Sequence, residues 1–454
     1  MTFVRQNLGG WGNCPVLPCA VARPDSIANL GAALTQGGQR DYIARGLGRA
    51  YGDSALNRDS GVLSSAGLNH FLEFDPQKGI LECEAGVSFA EIIQHLLQKG
   101  WFLPTTPGTK FVTVGGAIAA DVHGKNHHVD GSFGQFVLSL MLLTADGSVR
   151  TCSPTQDSEI FWATVGGMGL TGVILSARIQ LLRVESAYYD VTYRRTGSLD
   201  QTLEQFAATD SAYRYSVAWI DCVARGPSLG RSVLMLGRDV AAADLPPRLR
   251  RSPLVLPAKR TKAVPFNFPS MALNSWSVRA FNGLYYAAHG DCQKFVDYDT
   301  FFYPLDGIRH WNRIYGRRGF VQYQALFPRE TSREALVELL ERITRSGRAS
   351  FLAVLKSSGA AGQGMLSYLF PGHTLALDFP NTGRSLLPFL QELDAIVLRH
   401  GGRLYLAKDA CMSAETFKAM YPRLPEFLAV KQRIDPEGKF MSSQARRVMG
   451  LGGN

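Results

Sequence analysis

Residues 106–134, TPGTKFVTVGGAIAADVHGKNHHVDGSFG, constrain this chain more than any other stretch. Nearly every side chain from Val114 to Ala120 is small, and His123, Lys125, His127 and His128 then fall within six positions. A segment with few large side chains has little to pack with, and it lets a phosphate or a flat cofactor approach the backbone closely. The polar cluster behind it supplies charge and proton chemistry. The pattern predicts a cofactor cradle with reactive groups at its edge.

A chain of 454 residues exceeds one ordinary core, so two domains are expected. With 46% hydrophobic and 19% charged residues the profile is globular rather than disordered. No apolar run reaches about 18 residues, so no transmembrane helix is expected. The first residues, MTFVRQNLGGWGNCPVLPCAVARP, show no charged start followed by an apolar stretch, and no secretory signal is expected. Seven cysteines lie scattered without a CxxC pair, which suits a reducing, cytoplasmic compartment. The net charge of +10 is partly local: Arg248, Arg250, Arg251, Lys259, Arg260 and Lys262 fall together with no acid among them and with Leu254, Val255 and Leu256 interleaved. This segment reads as a solvated loop, or as a basic-apolar lip that meets anionic headgroups or a phosphate-bearing lipid. No nucleic-acid partner is expected, because no reading motif accompanies the charge.

Residues 41–180 alternate short strands, glycine turns and helices. Ser88 and Glu91 form a capping box for a helix to about Gln98. Phe136–Thr144 reads as a strand turned by Asp146-Gly147 into Ser148–Cys152. Ser158–Val165 reads as a helix and Val173–Leu182 as a strand. Beyond 185, strands are predicted at 213–223, 320–327, 349–356, 373–379 and 402–407. Helices are predicted at 332–346, capped by Thr331 and Glu334, and at 384–399. From 320 the order is β-α-β-β-α-β, which yields an antiparallel sheet with helices on one face. Residues 236–290 read as long proline-rich loops.

Two glycine motifs compete for a nucleotide. GMGLTG, residues 167–172, matches GxGxxG, but that motif should follow a strand and open a helix. Here the order is reversed, so a tight helix-to-strand turn near a cofactor is expected instead. ARGLGRAYGDSALN, residues 44–57, follows a short strand and frees a loop whose amides can face an anion, with Arg45 and Arg49 adding charge. Paired with 106–134, it suits a large diphosphate-bearing cofactor.

RGLGRAYGD, PGTKFVTVGGAIAADVHGKNHHVDGSFG and FWATVGGMGLTG resemble the flavin-binding loops of the vanillyl-alcohol-oxidase/PCMH superfamily. HGKNHH, with FVQYQ, LDFP, GGRLYLAKD and AETFKAMYP, resembles more specifically the decaprenylphosphoryl-β-ribose 2′-oxidase family, from about residue 40 to about 447. The resemblance implies an α+β fold: a PCMH-type FAD-binding domain (1–185), an inserted substrate domain of antiparallel sheet covered by helices (186–400), and a C-terminal segment (401–454) that returns to the FAD domain. By position, Ala44 and the run Arg45, Gly46, Leu47, Gly48, Arg49, Ala50, Tyr51, Gly52, Asp53 and Ser54 would wrap the FAD pyrophosphate. Gly108, Thr113, Val114, Gly115 and Gly116 would continue the cradle. Ala120, Asp121, Val122 and His123 would pass the isoalloxazine, Val173 or Ile174 would touch the adenine side, and Tyr405 would approach from the tail. Superfamily members with histidyl-linked flavin carry a histidine after RGxG. Arg49 stands there in this chain, so the FAD is expected to be non-covalent.

Oxidising a secondary alcohol needs a hydride acceptor, a sink for the alcohol proton and charge near the reduced flavin. The resemblance places Lys408 in LYLAKD beside flavin and substrate, as a charge or, if burial lowers its pKa, as a base. A surface lysine at a strand end is the alternative. Tyr51 and His123 are the other catalytic candidates; Tyr51 can also be an ordinary packed aromatic. His127 and His128 read more readily as structural, and no metal site is expected from this cluster. Lys125 would meet substrate phosphate or orient His123. Gln322 and Gln324, two apart on one strand, share a face, and with Lys356 they would bind sugar hydroxyls and phosphate; an exposed polar face is the alternative.

Mycobacterial members carry a cysteine, the attachment point of covalent nitroaromatic inhibitors, where this chain has Ala376. Thr374 replaces an asparagine, and Val217 occupies a position often polar in the family. The implied activity is oxidation of the C2 hydroxyl of a polyprenyl-phosphoryl pentose, the first half of an epimerisation that a separate short-chain reductase completes, with a cytoplasmic location and peripheral membrane contact. Two alternatives are a flavin enzyme for a soluble aldose or aldonolactone, and a flavin-binding protein without catalysis.

Overall fold

The computed structural model describes residues 2–450 apart from 258, 260, 270–274, 349 and 351. Its largest element is an eight-stranded antiparallel sheet. In sheet order the strands are Cys292–Asp297, Tyr188–Thr196, Ser232–Asp239, Tyr215–Ile220, Ala353–Ser358, Gly372–Pro380, Phe320–Pro328 and Arg403–Leu404. The β-α-β-β-α-β order predicted from residue 320 supplies the last four strands and two of the covering helices, Ser332–Ser346 and Leu386–Arg399.

Alternation along these strands separates two environments. Val321, Tyr323 and Ala325 point to the helices, where Leu336, Leu339, Leu340, Ile343, Leu390 and Leu393 are buried. Fully burying one such side chain stabilises by about 1.5–3 kcal/mol. Gln322, Gln324, Lys356, Ala376, Trp219, Val217 and Met235 occupy the opposite face and line a cavity. Directly opposed pairs hold that face in register: Gln322 with Asp378, Gln324 with Ala376, and Val217 with Met235.

Two smaller sheets build the other wall. One orders Val4–Gly9, Val16–Ala22, Gly61–Ser64 and Tyr42–Arg45; the other, fully antiparallel, orders Phe71–Asp75, Ile80–Glu84, Val173–Gln180, Val137–Leu143 and Val149–Cys152. The Ser88–Glu91 capping box forms on the helix Phe89–Leu96. The C-terminal residues close against these sheets: Tyr42 donates its N–H to Lys439 and accepts from Met441. Buried Lys431 bonds the carbonyls of Leu170 and Phe440.

Several expectations need correction. Thr331 does not cap its helix; its hydroxyl donates to the His400 carbonyl instead. The expected strand 402–407 is only Arg403–Leu404, and it completes the large sheet, so the expected boundary at 400 cuts through that sheet. Residues 236–290 are not only loop. They end the strand Ser232–Asp239 and contain the helix Ser275–Ala288, whose apolar Trp276, Ala280, Leu284 and Ala288 recur every four residues.

Candidate active site

A cavity of about 700 Å³ runs between the small sheets, the tail residues 405–408 and the inner face of the large sheet. That volume lies in the range of cofactor and ligand sites. Its walls change character from end to end.

At one end the lining is mostly small: Ala44, Gly46, Gly48, Ala85, Gly115, Gly116, Gly169 and Gly172, with Leu47, Ala50, Ser54, Gly108 and Thr113. Gly48 has φ 65° and Gly169 φ 79°, a left-handed backbone that favours glycine. A Cβ on Gly46 would meet Thr113 Oγ1 at 2.2 Å. GMGLTG is the expected helix-to-strand turn, between Ser158–Thr164 and Val173–Gln180, and Met168, Gly169 and Gly172 reach the cavity. A planar ring and a diphosphate fit this cradle. Arg49 stays in the lining, its guanidinium 4.0 Å from the Trp11 ring centroid.

Six residues expected at the cofactor stand outside the lining. Arg45 turns away and donates to the carbonyls of Gly9 and Ala55, at 2.8 and 3.3 Å. Gly52 makes room for the tail, since a Cβ there would lie 1.9 Å from the Asp409 carbonyl. Asp53 pairs with Arg447 at 2.7 Å. Val114 and Val173 are buried in the two cores, and Ile174 takes the cavity-facing position beside Val173. Asp121, with φ 39°, accepts from Ser132, Gly134 and Ser367 and so braces the turn that presents Val122 and His123.

The middle of the cavity gathers the reactive side chains. The Tyr51 N–H donates to the Ala407 carbonyl, and Lys408 Nζ lies 3.9 Å from the Tyr51 ring centroid. Burial lowers Lys408 to about 7, against the pull of Asp378. Asp378 accepts from Gln322 at 2.6 Å and Tyr315 at 3.0 Å, and burial raises it to about 7. Tyr51 is pushed well above its ordinary value by burial and then by Asp378, so its phenol stays protonated. His123 sits beside the stacked rings of Tyr405 and Tyr368, with centroids 5.1 and 5.6 Å away. Tyr405 donates to the Ala120 carbonyl at 2.7 Å, fixing that turn. Burial and the neighbouring Lys356 hold His123 neutral. Its Nε2 meets the Gln324 amide at 3.1 Å, while its Nδ1 is enclosed and has no hydrogen-bond partner among the described residues.

Beyond this point lie Lys125 and Lys356. Lys125 donates to the Phe301 carbonyl at 2.6 Å, and burial followed by Lys356 lowers it to about 7. Burial lowers Lys356 to about 8. Both side chains keep surface toward the cavity while lying far from bulk solvent, the setting of a site that receives an anion. Val217, Trp219, Met235, Leu352, Val354 and Tyr285 then line an apolar extension. The rest of HGKNHH and Asp130 just beyond it clamp the two walls: His127 Nδ1 accepts from the Gly359 N–H, His128 Nε2 meets the Tyr213 carbonyl, and Asp130 pairs with Arg214.

Asp378 was not singled out in the sequence, although a carboxylate inside the apolar strand HTLALDFP needs a buried partner and is a readable signal. The apolar extension carried no such signal, because its residues come from three strands, a helix and Leu352 just before a strand.

Residues 18–153 match the FAD binding domain family, and residues 379–448 match the D-arabinono-1,4-lactone oxidase family. The fold and site define an FAD-dependent oxidoreductase. Decaprenylphosphoryl-β-D-ribose oxidase of Mycolicibacterium smegmatis is 41% identical over 98% of this chain and 97% of its own length, and the chain belongs to that family. L-gulono-1,4-lactone dehydrogenase of Mycobacterium tuberculosis is 22% identical over 97% of this chain and 99% of its own length. L-gulonolactone oxidase of Bos taurus is 24% identical over 96% of each. Among the described residues no helix is long and apolar enough to cross a membrane.

Proposed function

We propose that this enzyme oxidises the C2 hydroxyl of a polyprenyl-phosphoryl pentose to a keto-sugar, which a separate short-chain reductase then reduces. The observation that carries the reading is the succession along one cavity: small-residue cradle, reactive centre, two lysines without built-in counter-ions, then an apolar extension. Residues 1–185 and the returning tail hold FAD without a covalent bond, and the large sheet holds the substrate. FAD, when bound, supplies the hydride acceptor.

Lys125 and Lys356 bind the phosphate; Gln322 and Gln324 orient the sugar; the apolar extension takes the prenyl chain. Lys408, lowered to about 7, is partly neutral near pH 7 and accepts the proton of the C2 hydroxyl at Nζ. Protonated Tyr51 packs against Lys408 and shields it from water, and neutral His123 lines the cavity beside them. The protein works at the inner face of a membrane, where its substrate resides.

Anaerobic addition of farnesyl-phosphoryl ribose should bleach the yellow flavin, and an unchanged spectrum would sink the lipid-sugar reading. Acid precipitation should release the colour to the supernatant; a yellow pellet would refute non-covalent binding. The lactone-oxidase match and the gulonolactone relatives favour a second reading, a soluble aldonolactone substrate. Bleaching by L-gulonolactone with none by the prenyl sugar would select it.

A further inference from the structure

The helix Ser275–Ala288 is apolar on the side that faces out. Trp276, Ala280, Leu284 and Ala288, spaced by four, form one exposed row, with Ala287 beside them. Trp276 is 77% exposed and Leu284 73%. The opposite side anchors the helix: Val278 is buried, Asn282 donates to Asp221 at 2.8 Å, and the Tyr286 hydroxyl donates to the Thr196 carbonyl. A large apolar row kept facing water marks a contact surface rather than a core.

The sequence interval that holds the helix carries charge of one sign. No Asp or Glu occurs between Asp244 and Asp291, while that interval holds Arg248, Arg250, Arg251, Lys259, Arg260, Lys262 and Arg279. Of these, Lys259 pairs with Asp297, Arg250 bonds the Leu245 carbonyl, and Arg260 lies outside the described residues. Arg279 is exposed on the helix itself. Arg195 lies 5.1 Å from the Tyr286 ring centroid, and exposed Lys294 sits 4.4 Å from that of Tyr193. The same helix is also a wall of the cavity, through Phe281 and Tyr285, with His289 just beyond its end.

We propose that this helix lies in the headgroup region of an anionic phospholipid bilayer, with Trp276 and Leu284 inserted and the flanking cations on the lipid charge. A prenyl chain then passes from the bilayer into the apolar extension beside Phe281 and Tyr285 without crossing water. The last step rests on the lipid-sugar reading; the docking surface does not.

The test uses the FAD-loaded full chain and vesicles of equal parts phosphatidylglycerol and phosphatidylcholine, read by co-sedimentation without substrate. The wild type should bind, and the double variant W276S/L284S should bind about tenfold or more weakly while keeping its flavin absorbance and its reduction by soluble farnesyl-phosphoryl ribose. Absence of wild-type binding, equal binding by the double variant, or equal binding to pure phosphatidylcholine would overturn the proposal. A solution dimer that the double variant loses would assign the row to a second copy of the chain and overturn it as well. A protein that binds vesicles yet is not bleached by the prenyl sugar keeps its docking surface while the substrate reading fails.

Discussion

Buried positive charge occurs on both sides of residues 407–412, and the two sites treat it in opposite ways. Arg447 lies between Asp53 and Asp409, at 2.7 and 2.9 Å, and donates to the Met412 carbonyl. Its guanidinium is held above its ordinary range despite burial. Among the described residues, Lys125, Lys356 and Lys408 have no ion pair: Lys125 meets the carbonyls and rings of Phe301 and Phe302, Lys408 meets the Tyr51 ring and a more distant carboxylate, and all three fall toward neutrality. A buried cation with built-in counter-ions is a latch; one without them waits for an anion or gives up its proton. Here the latch sets Lys408 in place, because Arg447 docks the tail turn that carries Lys408 onto the loop that carries Tyr51.

Breaking the latch should have the largest effect. Arg447→Leu leaves Asp53 and Asp409 buried together and should cost about 3–5 kcal/mol of stability in urea unfolding. A loss below about 1 kcal/mol would mean that the network holds nothing. On the unpaired side, Lys408→Ala should retain FAD absorbance yet slow anaerobic flavin reduction about 10²-fold. A normal rate would remove Lys408 from the chemistry. Lys356→Gln should raise KM about tenfold with little change in kcat, the signature of lost uniform binding. An equal fall in kcat would instead put Lys356 in the transition state.

The pH profile separates these two lysines. Both pKa values are lowered, so each lysine is a cation below its value and neutral above it. The base form of Lys408 grows as pH rises through about 7, while the cations proposed to bind phosphate are lost through about 7 for Lys125 and about 8 for Lys356. Log kcat/KM should therefore peak near 7 and fall on the alkaline side, and Lys356→Gln should remove the part of that fall near 8. An unchanged alkaline limb would assign it elsewhere. The smallest effect is expected for Tyr405→Phe, which removes one hydrogen bond to the Ala120 carbonyl and should cost about 1 kcal/mol. A much larger loss of flavin affinity would show that this bond shapes the cofactor wall.

The site was legible where short-range pattern carries the chemistry. The small residues around Gly46, Gly115 and Gly116 do line the cavity, and so do His123, Lys125, Gln322, Gln324, Lys356 and Lys408. Arg45, Gly52, Asp53 and Asp121 show where such reading stops. Their residue types suit a diphosphate as well as they suit the partners they have, and only the placement of Gly9, Asp409, Arg447 and Ser367 tells the two apart. The helix Ser275–Ala288 was missed although Trp276, Ala280, Leu284 and Ala288 recur every four residues, because the proline-rich loop reading runs through it.

Strand alternation, the turn chemistry of Gly48 and Gly169, and the β-α-β-β-α-β order act over a few residues, and these local features were enough for the helix-covered antiparallel sheet and the cofactor cradle, while the FAD-domain fold followed from the resemblance of the loop motifs. Which cations are paired, which strand face meets the cavity, and how Lys408 comes to lie on Tyr51 depend on residues hundreds of positions apart. Those features belong to the tertiary structure, because the energy of a buried charge is set by the groups packed around it and not by its neighbours along the chain.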